Sequence, residues 1–216
     1  MTVNDWRHGV YAITDAGLLP DDDTLIAACE SALAGGLALL QYRDKSRDGE
    51  RRHRQAAALA SRCARHGVPL IINDDLALAE RLRREGHAGV GVHLGQQDGS
   101  LRDARRVLGD SAIIGATCHA SLELAARSHE AGASYLAFGR FFASRTKPEA
   151  PPARLELLAE AARFGLPRVA IGGIDADNAR QARRAGAELL ATVQAVFGHG
   201  EPAANVQHLR RQLIDP

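Results

Sequence analysis

The chain has 216 residues and a formal net charge of +1, with 27 Lys and Arg against 26 Asp and Glu. So even a balance implies no attraction to nucleic acid or to a membrane surface, and an aromatic content of 4% leaves little with which to stack on bases. The length suits one domain, residues 1–216, with a substantial core, and no apolar run approaches membrane-spanning length.

In chain order, Gly9 to Asp15 reads as a first strand and Leu25 to Leu33 as a helix with Thr24 as N-cap. Leu37 to Arg43 is a second strand, Glu50 to His66 a long Ala- and Arg-rich helix, and Val68 to Ile72 a third strand. Leu76 to Glu85 is helical, Gly89 to Leu94 a fourth strand, Leu101 to Leu108 helical and Ser111 to Ala116 a fifth strand. Ser121 to Glu130 is helical, Ser134 to Gly139 the sixth strand, Leu155 to Arg163 helical and Pro167 to Ile171 the seventh strand. Asp177 to Arg184 is helical, Glu188 to Val193 the eighth strand, and Ala204 to Leu213 a closing helix. The N-terminus is polar, and Cys29, Cys63 and Cys118 lack metal or CxxC spacing. Cys29 and Cys63 fall in helical patterns and read as reduced packing residues, which favours a cytoplasmic enzyme.

Helices repeatedly run into strands through a glycine: Ala34-Gly35-Gly36, Arg65-His66-Gly67, Arg84-Glu85-Gly86-His87, Glu130-Ala131-Gly132-Ala133 and Arg184-Ala185-Gly186-Ala187. Each places a glycine where a left-handed residue ends a helix. Eight strands alternating with eight helices through one repeated turn favour an α/β fold of the (β/α)8 barrel type, a TIM barrel, over the open doubly wound sheet that remains the alternative. No domain boundary is visible. The Pro-rich segment Pro148-Glu149-Ala150-Pro151-Pro152 interrupts a strand-to-helix connection and reads as a mobile active-site loop.

Two runs carry most of the chemical information. Ile71-Ile72-Asn73-Asp74 and Gly91-Val92-His93-Leu94-Gly95-Gln96-Gln97-Asp98 each run from a strand to an acid, with one helix between them. A βαβ unit makes those strands parallel, so Asp74 and Asp98 share one edge, where barrels and open α/β sheets keep their ligands. Two carboxylates there suit a hard divalent cation; a helix-capping Asp followed by a loop Asp is the plainer reading. The other strand ends add Gln41, Arg43 and Lys45; Thr117 and His119; Ser144, Thr146 and Lys147; Gly172 and Gly173; and Val193 and Gln194. Arg43, Lys45 and Lys147 match a diphosphate, and Mg2+ binds through one or two carboxylates plus phosphate oxygens. Ile171-Gly172-Gly173-Ile174 ahead of a helix, with the end of the eighth strand, fits the phosphate pocket of many barrels. Such a site takes two substrates, a diphosphate with metal and a monophosphate. Arg43 and Lys45 also read as solvated loop charges, Gly172-Gly173 as a tight turn, Thr117 as an N-cap, and His93 and His119 as packed histidines. The pairs Arg51-Arg52, Arg83-Arg84, Arg183-Arg184 and Arg210-Arg211 read as exposed helix faces.

Gln41-x-Arg43-x-Lys45, Ile72-Asn73-Asp74, Gly91-Val92-His93-Leu94-Gly95-Gln96-x-Asp98, Thr146-Lys147 and Ala170-Ile171-Gly172-Gly173-Ile174 together resemble the thiamine-phosphate synthase (thiamine-phosphate pyrophosphorylase) family, in order from Tyr11 to Val196. The resemblance implies a (β/α)8 barrel, a transferase of thiamine biosynthesis that joins a hydroxymethylpyrimidine diphosphate to a thiazole phosphate, and release of diphosphate. It implies that Gln41, Tyr42, Arg43, Asp44, Lys45, Asn73, Thr117 and Lys147 bind the pyrimidine diphosphate. Asp74 and Asp98 would hold Mg2+, and Ser144, Arg145, Thr146, Gly173, Val193 and Gln194 the thiazole phosphate. Arg43, Lys45 and Lys147 would carry the catalysis. Thr117 stands where Ser is usual, Arg140 and Ala143 replace prolines, Ser144 replaces Thr and Gln194 replaces Ser, which makes the Gln194 side-chain contact the weakest transfer. The implied partners are small-molecule substrates, with neither nucleic acid nor membrane; a homo-oligomer is compatible with the sequence. A thiazole tautomerase-type barrel needing neither metal nor diphosphate, and a non-catalytic phosphate-binding barrel, are the alternatives.

Overall fold

The computed structural model describes residues 5–143 and 152–214. Eight strands, β1 (Gly9–Ile13), β2 (Leu39–Tyr42), β3 (Leu70–Asn73), β4 (Val90–Leu94), β5 (Ile114–His119), β6 (Tyr135–Phe138), β7 (Arg168–Ile171) and β8 (Leu189–Thr192), pair in sequence order. All neighbours are parallel, and β8 returns to β1 through Val10 opposite Leu190, so the sheet closes into a (β/α)8 barrel. Around it run α1 (Asp22–Ala34), α2 (Gly49–His66), α3 (Leu76–Arg84), α4 (Leu101–Leu108), α5 (Leu122–Glu130), α6 (Glu156–Glu160), α7 (Ala179–Arg184), α8 (Gln194–Phe197) and α9 (Pro202–Ile214). No described helix is long and apolar enough to cross a membrane.

The strand period of two sorts the side chains into two apolar layers. Tyr11, Ile13, Leu39, Ile71, Tyr135, Val169 and Leu189 point inward and fill the barrel. Val10, Ala12, Leu40, Tyr42, Ile72, Val92 and Leu136 point outward against the helices, where Cys29 of α1 and Cys63 of α2 are buried as free thiols. Burying each such aliphatic side chain contributes about 1.5–3 kcal/mol, so both layers hold the strand ends in place.

Side chains of the connecting turns start the helices. Asp21, Asp48, Asp75, Ser100 and Ser121 each accept a hydrogen bond from a backbone N–H of the first turn. Two of these alter the expected starts. Asp21, not Thr24, caps α1: its carboxylate takes both the Thr24 N–H at 2.8 Å and the Thr24 hydroxyl at 2.9 Å, so the helix begins earlier than the apolar spacing predicts. Ser121 rather than Thr117 caps α5. At the other ends the repeated glycine turn forms as expected; Gly67, at φ +66°, returns its N–H to the Ala64 carbonyl and swings the chain into β3. The helix predicted over Leu155 to Arg163 is α6 followed by a 3-10 turn, Ala161–Phe164. The helix predicted from Asp177 begins only at Ala179, because Asp175 and Asn178 close a turn on each other's N–H groups at 3.1 Å. A short helix that the periodicity did not suggest, α8, follows β8 directly.

Candidate active site

The carboxyl ends of all eight strands open into one cavity of about 730 Å3. Its wall near β2 is set by alternation. Gln41, Arg43 and Lys45 line the cavity, whereas Tyr42 and Asp44 turn outward between β2 and α2. The Tyr42 hydroxyl donates to Gln55 Oε1 at 2.7 Å, and Asp44 accepts from the Ser46 N–H at 2.7 Å and from Arg51 at 2.8 Å. Tyr42 and Asp44 therefore buttress the loop from behind, and their side chains do not face the cavity. Arg43 is held at the rim by Asp15, at the end of β1, through a 3.2 Å ion pair, and its N–H donates to Thr14 Oγ1 at 2.8 Å.

Beside this wall, after β3 and β4, stand the acids. Asp75 caps α3 through the Leu78 N–H at 2.9 Å, so the capping role belongs to it and leaves Asp74 facing the cavity. Asp74 adopts φ +62°, a conformation uncommon outside glycine, with its N–H bonded to the His93 carbonyl at 2.8 Å. Backbone held in this region collects at functional sites. The Asn73 amide donates to the Asp74 carboxylate at 2.6 Å and fixes its direction. Asp98 follows β4 on a turn closed by its N–H to the Gly95 carbonyl. Its carboxyl lies above the ordinary carboxylate range, first because neighbouring atoms strip its water and then because Asp74 stands beside it, while Lys45 pulls the other way. Asp74, Asp98 and Lys45 are thus near enough to act on one another.

β5 carries a bulge: Thr117 pairs with Ala137 and His119 with Phe138, so Cys118 is the extra residue and turns outward onto Ser128. Thr117 and His119 both line the cavity. His93, open between a ligand role and a packed one in the sequence, is a hydrogen-bonded group of the barrel interior. Its ring nitrogens lie 2.9 Å from the Tyr135 hydroxyl and 2.8 Å from Thr117 Oγ1.

The opposite end of the cavity is backbone-rich. Gly172 and Gly173, at φ +96° and +69°, admit the segment after β6 so closely that a Cβ on Gly173 would lie 2.2 Å from the Ala143 carbonyl oxygen. Asn178 Nδ2 donates to the Gly173 carbonyl at 2.8 Å and pins this turn. Val193 and Gln194 line the same end. The helix starting at the cavity is α8, directly after β8, rather than α7, whose start lies beyond the turn at Asp175. Ser144, Arg145, Thr146 and Lys147 lie outside the described residues, as does the Pro-rich loop up to Pro151. Sequence reasoning missed Asp15, Tyr11 and Tyr135; for Tyr11 a signal was present, since it shares strand parity with Ile13 and faces the same interior.

Among the described residues no three His, Cys, Asp or Glu side chains gather as a metal cluster. Two carboxylates pressed together beside one lysine remain, and that donor set fits Mg2+, which takes one or two carboxylates and completes its shell with phosphate oxygens and water. A smaller hollow of about 210 Å3 lies outside the barrel between α4 and α5 and shares only Gly95 and Gln96 with the main cavity.

A family model described as thiamine monophosphate synthase matches residues 10–196. The chain belongs to this family. Relatives named thiamine-phosphate synthase include one from Marinobacter nauticus, 55% identical over 91% of this chain and 86% of its own length, and one from Alcanivorax borkumensis, 50% identical over 95% and 92%. The structure of thiamine phosphate pyrophosphorylase from Pyrococcus furiosus superposes with a TM-score of 0.82 at 28% identity, covering 96% of both chains. The matched span of the thiamine monophosphate synthase family thus includes the carboxyl end of every strand.

Proposed function

We propose that the cavity joins a hydroxymethylpyrimidine diphosphate to a thiazole phosphate, giving thiamine phosphate and diphosphate, as the names of the family and of the relatives imply. The observation that carries this reading is the division of one cavity into two unlike ends. Gln41, Arg43, Lys45, Asp74 and Asp98 line one end, and the glycine turn and the start of α8 line the other. The first end suits a diphosphate and the second a phosphomonoester approached by backbone.

The reaction is a group transfer. The bond between the pyrimidine CH2 and the diphosphate oxygen breaks, its electron pair leaves with diphosphate, and the thiazole nitrogen supplies the pair for the new C–N bond. A neutral nitrogen lone pair needs no deprotonation, so no protein nucleophile or general base is required. Arg43 and Lys45, with Lys147 assigned by resemblance, neutralise negative charge that grows on the leaving group. Asp15 keeps Arg43 at the rim, and Asn73 keeps the Asp74 carboxylate turned toward Asp98. Gly173, Val193 and Gln194, with Ser144, Arg145 and Thr146 assigned by resemblance, hold the thiazole phosphate, so that the two reacting atoms meet between the ends. Asp74 and Asp98 hold Mg2+, which when bound offsets the charge of the diphosphate.

The test is release of inorganic diphosphate by the purified chain with both substrates present, with and without Mg2+. We expect diphosphate and thiamine phosphate in equal amounts, dependent on both substrates and on the metal. Binding of the thiazole phosphate without product would establish a binding barrel and overturn the proposal.

A further inference from the structure

Beneath the cavity mouth, five polar side chains from five strands form one continuous hydrogen-bonded row. Gln41 Nε2 lies 2.6 Å from the Tyr11 hydroxyl, the Tyr11 and Tyr135 hydroxyls are 2.7 Å apart, and Tyr135 lies 2.9 Å from His93 Nδ1. His93 Nε2 then lies 2.8 Å from Thr117 Oγ1, at the cavity wall. The row has a direction. An amide nitrogen donates and does not accept, so the Tyr11 oxygen receives the Gln41 N–H, and the Tyr135 oxygen 2.7 Å away is an acceptor within reach of the Tyr11 proton. The Tyr135 proton in turn goes to His93 Nδ1. With the row in this direction that nitrogen is bare, and the ring proton sits on Nε2, where it is given to Thr117. Having accepted from the ring, the Thr117 hydroxyl has its own proton left for the cavity.

The surroundings hold the row in this form. Burial raises both tyrosines far above their ordinary range, so each keeps its single proton. The His93 and Tyr135 rings stack at 5.6 Å with planes 17° apart, and Tyr11 meets Tyr135 edge-on at 5.8 Å. Gly115 makes room: a Cβ there would lie 2.0 Å from the Tyr135 ring.

We propose that this row is a positioning relay, in which Gln41, Tyr11 and Tyr135 hold His93 as its Nε2–H tautomer and so commit the Thr117 hydroxyl to donate toward an oxyanion in the cavity. The use of that donor rests on the reading above, in which the oxyanion is the departing diphosphate. An uncommitted hydroxyl turns to accept as readily as to donate; one whose oxygen already accepts from His93 favours an acceptor-only group on which charge is growing. His93 acts through Thr117 and is a positioning residue, as are Tyr11 and Tyr135.

Two measurements test the relay. The 15N spectrum of the histidine rings in ligand-free protein near neutral pH, with His93→Gln to assign the resonances, reads the tautomer without reference to any substrate. We expect a neutral ring protonated at Nε2; protonation at Nδ1, or at both nitrogens, overturns the relay. In steady state, Tyr135→Phe should lower kcat about tenfold while KM for the thiazole phosphate stays within about twofold, because orientation is lost and the phosphate end is untouched. His93→Gln, whose amide can still donate to Thr117, should retain more kcat than His93→Leu. An unchanged kcat in Tyr135→Phe overturns the proposal. If the wild-type chain releases diphosphate but shows the other tautomer, the relay fails alone. If it releases none, the functional reading fails and takes the donor role of Thr117 with it.

Discussion

Asp98 shows how one residue links charge, pH and ligand. Its carboxyl is raised from an ordinary value of 3.8 by loss of water and by the adjacent Asp74. A carboxyl raised in the folded state contributes stability that is complete below its unfolded value and lost as the pH climbs through the raised one. Without divalent cation, thermal melts of the wild type should therefore lose ground to Asp98→Asn as the pH rises past 3.8. Parallel curves for the two proteins would show that Asp74 places no burden on Asp98. Near neutral pH, Mg2+ at a hundred times its dissociation constant should restore about 2.7 kcal/mol to the wild type and much less to the Asn variant. Lys45 is the complementary case, an exposed cation acting on Asp98 across the cavity wall. Lys45→Ala should lower turnover by about 10²-fold with an unchanged circular dichroism spectrum, since its charge is needed when the leaving group departs rather than for folding. Turnover within a few-fold of wild type would remove it from the chemistry.

At the scale of single elements, two glycines give opposite expectations for the same substitution. Gly115 in β5 faces the Tyr135 ring, which a methyl group would strike at 2.0 Å. Gly115→Ala should cost about 1–3 kcal/mol through overpacking. Gly49 opens α2 with no heavy atom near the position of a Cβ. Gly49→Ala should stabilise by about 0.4–1 kcal/mol, mainly by restricting the unfolded chain. Urea denaturation of both variants checks the pair; equal shifts would mean that the packing around Tyr135 is looser than described. The elements also show what was readable beforehand. Glycine at helix ends, as at Gly67, is a local backbone requirement and stands out in the sequence. The start of α1 was misplaced because Asp21 and Thr24 both have capping side chains, and only their geometry shows Asp21 accepting while Thr24 donates. The run Gln41 to Lys45 came from the resemblance as a block, yet strand alternation divides it, with Tyr42 bonded to Gln55 on the far side of the sheet.

For the whole molecule, repeated βα spacing makes neighbouring strands parallel and gathers their ends, which is why Asp74 and Asp98 fall on one edge; the order of the strands and their closure into a barrel are seen only in the structure. Contacts between distant strands were not legible in the same way. The pairing of Asp15 with Arg43 spans 28 positions and that of Tyr11 with Tyr135 spans 124, and no local pattern encodes either. The split of the cavity into a charged end and a backbone end likewise belongs to the closed barrel. That split is the central claim, and measuring KM for each substrate in Arg43→Ala and in Gly173→Ala tests it most directly. The account predicts a crossed result: Arg43→Ala raises KM for the pyrimidine diphosphate and leaves that for the thiazole phosphate near wild type, and Gly173→Ala does the reverse. Both variants raising both values alike would contradict a cavity with two separate ends.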